Sequence, residues 1–374
     1  MKENNIVKIL HVASFKGNIG DNANHLGFYS KLEKVLSAFE IEAFEIRDTF
    51  RGTRCFDQDF VNLCNKKDLV IFGGGNFFEL WVEKSKTGCS IDIDLDLLRC
   101  IDVPIVFNSL GVDPGQGASP KSISKFRKFL DVCISKSKCL LSVRNDGAYH
   151  NLCKYVGKEY ASHFYNIHDA GFYFKISDVE FMYPMIDETK KNILFQIAGD
   201  MQDIRFSDLD ISYNEFIKGM SSIISELSTD YNIILCPHIF KDIKSIYEIL
   251  EELDDKTRRD SVSVAPYIQG NYAAKYIFGL YAKSDLNVGM RFHANVCSLA
   301  LNKNTIGLVN YLQIENLYKS IGSEDFIDVR KKDFPHLLRE MIKRKSTSSA
   351  QDQKIHLDHL KYDRYIKAIS ELLH

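Results

Sequence analysis

The chain has 374 residues, which at roughly 150 residues per domain points to two domains. Lys and Arg total 48 against 50 Asp and Glu, a net charge of −2 that excludes holding nucleic acid through bulk charge. Ordinary apolar content and seven prolines exclude wholesale disorder, and no apolar run reaches the roughly 18 residues that a membrane span needs.

The first half alternates strand and helix signals. Val7–Ala13 reads as a strand. Asp21 or Asn22 can cap a helix whose apolar face is Leu26, Tyr29, Leu32, Val35, Leu36 and Phe39. Ile41–Ile46, Asp68–Phe72, Pro104–Phe107 and Cys139–Val143 follow as strands. The pattern then restarts, with strands at Asn192–Ala198, Tyr231–Cys236, Ser261–Ala265, Leu286–Val288 and Thr305–Val309. Helices are expected at Tyr213–Leu227, Lys241–Leu253, Asn271–Lys283 and His293–Leu301. Residues 344–353 read as a loose loop, and a last helix, Lys354–Leu373, carries an apolar stripe at Tyr362, Ile366, Ile369 and Leu373.

Strands separated by helices imply parallel sheets covered on both faces. The fold class is therefore α/β and GT-B-like: two Rossmann-like domains facing a cleft, with the C-terminal helix packing back on the N-terminal domain. The expected divisions are 1–180, 181–345 and 346–374, with a linker in Ser177–Lys191. The nine cysteines include no CxxC pair and the N-terminus does not read as a signal peptide. Reduced thiols and a cytoplasmic address follow.

Ligands of open α/β sheets bind beyond the carboxyl ends of the strands. The first such end is Gly17-Asn18-Ile19-Gly20-Asp21, which does not match the dinucleotide spacing. Its glycines admit a close ligand, and Asp21 can cap the helix or take a proton. Gly73-Gly74-Gly75-Asn76, Asn108–Gly115, Arg144 in Ser142–Asp146 and His238 after Cys236-Pro237 occupy further strand ends. The densest anion signal is Gly289-Met290-Arg291-Phe292-His293-Ala294. There a forked cation and an imidazole sit at a strand exit that opens a helix. Asp92, Asp94 and Asp96 read as a solvated face, and His356 with His359 lacks zinc spacing.

Taken together, GNIGD (17–21), DLVIFGGGN (68–76), PIVFNSLGVDPG (104–115), SVRND (142–146), HDAGF (168–172), LCPH (235–238) and GMRFHA (289–294) resemble the polysaccharide pyruvyltransferase family. The chain departs from the family's pattern in four respects, one of them the absence of a serine usual shortly after the Arg–Asp pair. Phe292 stands where a leucine is usual, Tyr311-Leu312-Gln313-Ile314 lacks a lysine, and Asn145 splits the Arg–Asp pair.

The resemblance implies transfer of pyruvate from phosphoenolpyruvate to two hydroxyls of a sugar in a surface-polysaccharide precursor, closing a cyclic ketal and releasing phosphate. No metal or organic cofactor is expected. Arg291, His293, Arg144 and His238 are then expected on the donor side, and Asn18, Gly20, Asp21, Gly74, Gly75 and Asn76 on the acceptor side. Asp21 is the expected base, and His293 the phosphate ligand or proton donor. The implied acceptor is a lipid-linked or polymeric glycan, which suggests peripheral contact at the inner membrane face. The basic stretch Lys331–Lys345, interleaved with Phe334, Leu337 and Leu338, is the expected contact. A GT-B glycosyltransferase using a nucleotide sugar, or a non-catalytic glycan-binding relative, would fit the same residues.

Overall fold

Strand β1 (Val7–Ala13) lies inside a parallel sheet with a neighbour on each side and is buried from Ile9 onward, as strands of sheets covered on both faces are. A computed structural model describes residues 6–176, 181–206, 210–347 and 355–374. The first compact unit comprises Met1–Phe15, Phe28–Ala170 and Leu357–His374. Its remaining strands are β2 (Phe39–Glu45), β3 (Leu69–Gly73), β4 (Phe78–Glu79), β5 (Ile105–Leu110), β6 (Val112–Asp113), β7 (Cys139–Val143) and β8 (Phe164–Asn166). The sheet order is β2-β1-β3-β5-β7-β8, all parallel, with β4 and β6 forming a separate two-stranded ladder. Phenylalanines fill the core: Phe72 stacks on Phe107 at 5.1 Å, and Phe78 meets Phe126 edge-on at 5.0 Å.

The second unit comprises Lys16–Gly27 and Gly171–His356. Its strands are β9 (Lys191–Gln196), β10 (Tyr231–Leu235), β11 (Val262–Val264), β12 (Leu286–Gly289), β13 (Asn304–Val309) and β14 (Phe326–Asp328). They order as β11-β10-β9-β12-β13-β14, again all parallel. Strand order therefore reverses between β9 and β12 here and between β1 and β3 in the first unit. Such switch points open a crevice at the strands' carboxyl ends.

Several expectations shift. Helix α1 spans Ile19–Leu32, so Phe39 leaves the expected helix face. It pairs instead with Val7 at the start of the β1–β2 ladder, and sheet pairing overrides the helical period. The division of the chain is not one cut near residue 180, since Lys16–Gly27 groups with the second unit. The expected loop at 344–353 is helical as far as Thr347, at the end of the Phe334–Thr347 helix, while residues 348–354 lie outside the described residues. Part of the expected linker, 177–180, lies outside them as well.

The Phe334–Thr347 helix belongs to the stretch expected to contact a membrane. Phe334, Leu338 and Ile342 are buried in the second unit's core. Arg339 pairs with Glu226, and Arg344 and Lys345 both pair with Asp325. Part of its apolar face is thus used in packing and three of its cations pair with acids, while Leu337 stays exposed. Among the described residues no helix is long and apolar enough to cross a membrane. The nine cysteines are free thiols.

The last helix, His359–Glu371, buries Tyr362, Tyr365, Ile366 and Ile369 in the first unit. Tyr365 donates to Asn108 Oδ1 at 2.9 Å, and Lys31 pairs with Asp363 while lying over the Tyr362 ring. His168 stacks on Tyr362 with centroids 6.0 Å apart. Burial, reinforced by His359, pushes the His168 imidazole down from 6.5 to about 4. The folded state thus resists a proton that an open state accepts below 6.5. Full stability above that pH is expected to fall as pH drops toward 4. Amide exchange of the His359–Glu371 helix, corrected for intrinsic pH dependence, should quicken across that window. Constant protection would contradict the account.

Candidate active site

Three strand exits of the second unit converge on one carboxylate. Asp242, the first residue of the helix Asp242–Glu252, is fully buried. From the β9 exit it accepts Gly199 N–H at 2.9 Å and Gln196 Nε2 at 3.2 Å. From the β10 exit it accepts the N–H groups of His238 (2.9 Å) and Ile239 (3.1 Å). From the β12 exit it receives Arg291 through Nε at 2.9 Å and through Nη2. Burial opposes its charge, but Arg291 and these N–H groups outweigh burial and hold the carboxyl below its ordinary value. Asp200 completes the pairing: it accepts Arg291 Nη2 at 2.6 Å and binds Arg205 at 3.2 Å. The Arg205 guanidinium lies 4.6 Å over the Tyr311 ring. Burial acts against the Arg291 charge too, and its two carboxylates override it and push its pKa up.

The side chain of Gln196 fixes the turn above this pair. Its Oε1 accepts the backbone N–H of Arg291 at 2.8 Å and of Met290 at 3.2 Å. Arg291 is then the extended residue preceding the helix Phe292–Ala300. The first N–H of that helix, on Phe292, donates to Tyr311 Oη at 3.2 Å. His293 sits one residue on, 5% exposed in its side chain, with Nδ1 3.6 Å from Asp21 Oδ1.

Asp21 arrives from the glycine loop after β1. Gly17 has φ of +107°, a conformation that favours glycine. The expected cap at Asp21 or Asn22 moves to Asn18, because α1 starts earlier: Asn18 Oδ1 accepts Gly20 N–H at 3.0 Å. Asn18 Nδ2 also donates to Asp21 Oδ1 at 3.2 Å and so orients the carboxylate toward His293. A Cβ on Gly20 would strike the His293 Cβ and lie 2.9 Å from its Nδ1. Ile19 and Ala23 anchor this first part of α1 in a cluster with Ala273, Ala274 and Ile277.

His238 differs from its expected role. It is fully buried and its Nε2 bonds Tyr281 Oη at 2.8 Å. Burial, with the nearby Arg291 and His293 charges adding, pushes it down to about 3, so the ring is neutral. It presents no surface to a ligand.

In the first unit, Arg144 follows β7 and is buried between Asp146 (2.7 Å) and Asp169 (3.8 Å). Gly73 has φ of +157° with its Cβ direction blocked by the Asn108 carbonyl, and Gly74 has φ of +83°. Gly75 is packed on Phe77, and Asn76 Nδ2 donates to Asp113 Oδ2 at 2.9 Å. Asp113 stands opposite Glu79 across the β4–β6 ladder. Burial drives the Glu79 carboxyl up to about 7, with the Ser90 hydroxyl opposing and Asp113 adding.

The expected residues thus divide between two places. Asn18, Gly20, Asp21, His238, Arg291 and His293 share the second unit, and Gly74, Gly75, Asn76 and Arg144 the first. The expected place of Asn18–Asp21 in the N-terminal domain is corrected, because the loop is bonded and packed within the second unit. Sequence reading missed Gln196, Asp200, Asp242, Glu79 and Asp113. Asp242 did carry a signal, an acid in the first turn of a helix four residues after a strand-end histidine. Asp94 caps the helix Leu95–Arg99, and no group of three or more metal-type ligands exists among the described residues.

A family model described as polysaccharide pyruvyl transferase matches residues 18–311. No curated protein is significantly similar in sequence. Among solved structures, S. aureus MnaA in its UDP co-structure superposes with a TM-score of 0.61 at 13% identity, over 98% of this chain and 97% of that one. A putative UDP-N-acetylglucosamine 2-epimerase from Listeria monocytogenes gives 0.61 at 10% identity, over 98% and 96%. The UDP-GlcNAc 2-epimerase of Methanocaldococcus jannaschii gives 0.57 at 10%, over 97% and 99%. At these identities the likeness concerns the fold alone, which is the GT-B class of two Rossmann-like domains.

Two substitutions probe the geometry. Arg291→Ala strands two carboxylates, one fully buried, and is expected to cost about 3–5 kcal/mol of stability. Chemical denaturation measures this, and a loss under about 1 kcal/mol would contradict the pairing. Gly20→Ala drives a methyl group into His293 and should cost about 1–3 kcal/mol. An unchanged melting curve would contradict that packing.

Proposed function

Because the chain belongs to the polysaccharide pyruvyl transferase family, we propose that it moves the pyruvyl group of phosphoenolpyruvate onto two hydroxyls of one sugar, forming a cyclic ketal and releasing inorganic phosphate. The observation that carries the reading is the Asp21–His293 pair beside the Arg291 anchor at the β9/β12 switch point. Phosphoenolpyruvate brings a phosphate and a carboxylate, so cations must meet it. Its methylene carbon must be protonated before a hydroxyl can attack the neighbouring carbon. Phosphate then leaves, and the second hydroxyl closes the ring as its proton departs.

In this reading His293 donates the proton or binds the phosphate, and Asp21 orients the ring and serves as the base. Arg291 spends Nε and Nη2 on Asp242 and Asp200 and makes no hydrogen bond through Nη1 among the described residues. Nη1 is therefore the donor it offers to phosphate. His238, buried and bonded to Tyr281, contributes through its backbone N–H to Asp242 and not as a ligand. Gly74, Gly75 and Asn76 serve the sugar side of the first unit, joined by Asp113 and Glu79, while Arg144, expected on the donor side, is held between Asp146 and Asp169 in that unit. The acceptor is a glycan, lipid-diphosphate-linked or polymeric, met at the cytoplasmic membrane face. This chemistry needs no metal or organic cofactor.

The test is phosphate release from phosphoenolpyruvate in the presence of a lipid-linked sugar, with no metal added. The expected result is release that requires both substrates and falls about 10²–10⁴-fold in His293→Ala. Release of a nucleoside diphosphate from a nucleotide sugar, with no consumption of phosphoenolpyruvate, would overturn the reading in favour of a glycosyltransferase.

A further inference from the structure

The loop between β11 and the helix Asn271–Lys283 holds the glycine loop through one side chain. Gln269 Oε1 accepts the backbone N–H of Gly17 at 3.1 Å. Gln269 Nε2 donates to the backbone carbonyl of His238 at 3.0 Å. One carboxamide therefore bridges the glycine loop to the β10 exit, whose His238 and Ile239 N–H groups are bound to Asp242. Two residues on, Asn271 Oδ1 accepts Asn22 Nδ2 at 3.0 Å, a second tie between the same segments.

We propose that Gln269 is a positioning residue: it holds Gly17 to the His238 backbone and so sets the Asp21 carboxylate against His293. The inference rests on the reading of Asp21 and His293 as the working pair. Gly17 turns the chain with a positive φ, and Gln269 accepts its N–H at that turn. From Gly17 the path to Asp21 is short and rigid, since Asn18 caps α1 and binds Asp21 itself. No other common side chain supplies both an acceptor for Gly17 and a donor for the His238 carbonyl at this reach. Glutamate keeps only the acceptor, leucine neither, and asparagine is one methylene too short.

The packing of Ile19 and Ala23 against the Asn271–Lys283 helix also holds α1, so loss of activity alone would not separate positioning from general support. The test therefore reads the pair directly. Imidazole ¹H–¹⁵N signals of His293 are recorded in wild type, Asp21→Asn, Gln269→Leu and the double variant. His238 and Arg291 are left unchanged in every variant. Gln269→Leu is expected to displace the His293 signals in the same direction as Asp21→Asn, and the double variant to add nothing beyond Asp21→Asn. In turnover, kcat of Gln269→Leu should fall about 10–100-fold, with the donor KM within about twofold. Should Gln269→Leu not fold, Gln269→Glu, which keeps the Gly17 bond, carries the same test.

Unmoved His293 signals in the Gln269 variants, or additive displacement in the double variant, would overturn the proposal. Absence of phosphoenolpyruvate turnover in wild type would instead overturn the functional reading, and the spectra would still report whether Gln269 positions Asp21.

Discussion

The buried pairing of Asp242 with Arg291 is the constraint on which the rest of the site depends. Loops at the carboxyl ends of parallel strands expose backbone N–H groups that must find acceptors when buried. One carboxylate serves two such loops here, taking N–H groups from Gly199 in one and from His238 and Ile239 in the other. A buried carboxylate with so many donors still needs a countercharge, and Arg291 supplies it from the β12 exit. The site is thus a small electrostatic knot at the switch point, and the Phe292–Ala300 helix that carries His293 starts from it. Arg144 with Asp146 and Asp169 is the same construction in the first unit, an arginine at a strand end closed by two aspartates.

The glycines are set by this knot. Gly199 admits the Lys241 carbonyl where its own Cβ would stand, which lets the β9 exit reach Asp242. Gly17 turns the chain after β1, and Gly20 leaves room for the His293 side chain. Each marks a close approach, and together they bring Asp21 from the far end of the sequence to a histidine 272 positions later (293 − 21).

Much of this was legible in the sequence. The alternation of apolar runs and helical stripes implied two parallel α/β units, and Tyr213–Leu227 and Asn271–Lys283 match their helices to the residue. Arg291 and His293 stand out because a cation and an imidazole at a strand exit are conspicuous. The partners were beyond reach of sequence reading. Asp242 and Asp200 look like ordinary surface acids until the strand order brings three exits together, and Gln269 has no chemistry that draws notice alone. His238 differs from expectation for a related reason. Its position after an apolar strand fits an exposed ligand contact and a buried ring equally well, and only the packing of Phe278 and Tyr281 against it decides. The grouping of Lys16–Gly27 with the second unit was hidden because it depends on where α1 packs, not on its neighbours along the chain.

Carbon transfer from phosphoenolpyruvate to a sugar is the central claim, and labelled substrate tests it most directly. With phosphoenolpyruvate carrying ¹³C at all three carbons and a lipid-linked glycan acceptor, the product is examined by ¹³C NMR. The predicted product has a labelled methyl, a labelled carboxylate and a labelled quaternary carbon bonded to two sugar oxygens. A glycan product without label, or with label in an open vinyl ether that never closes, would contradict the claim.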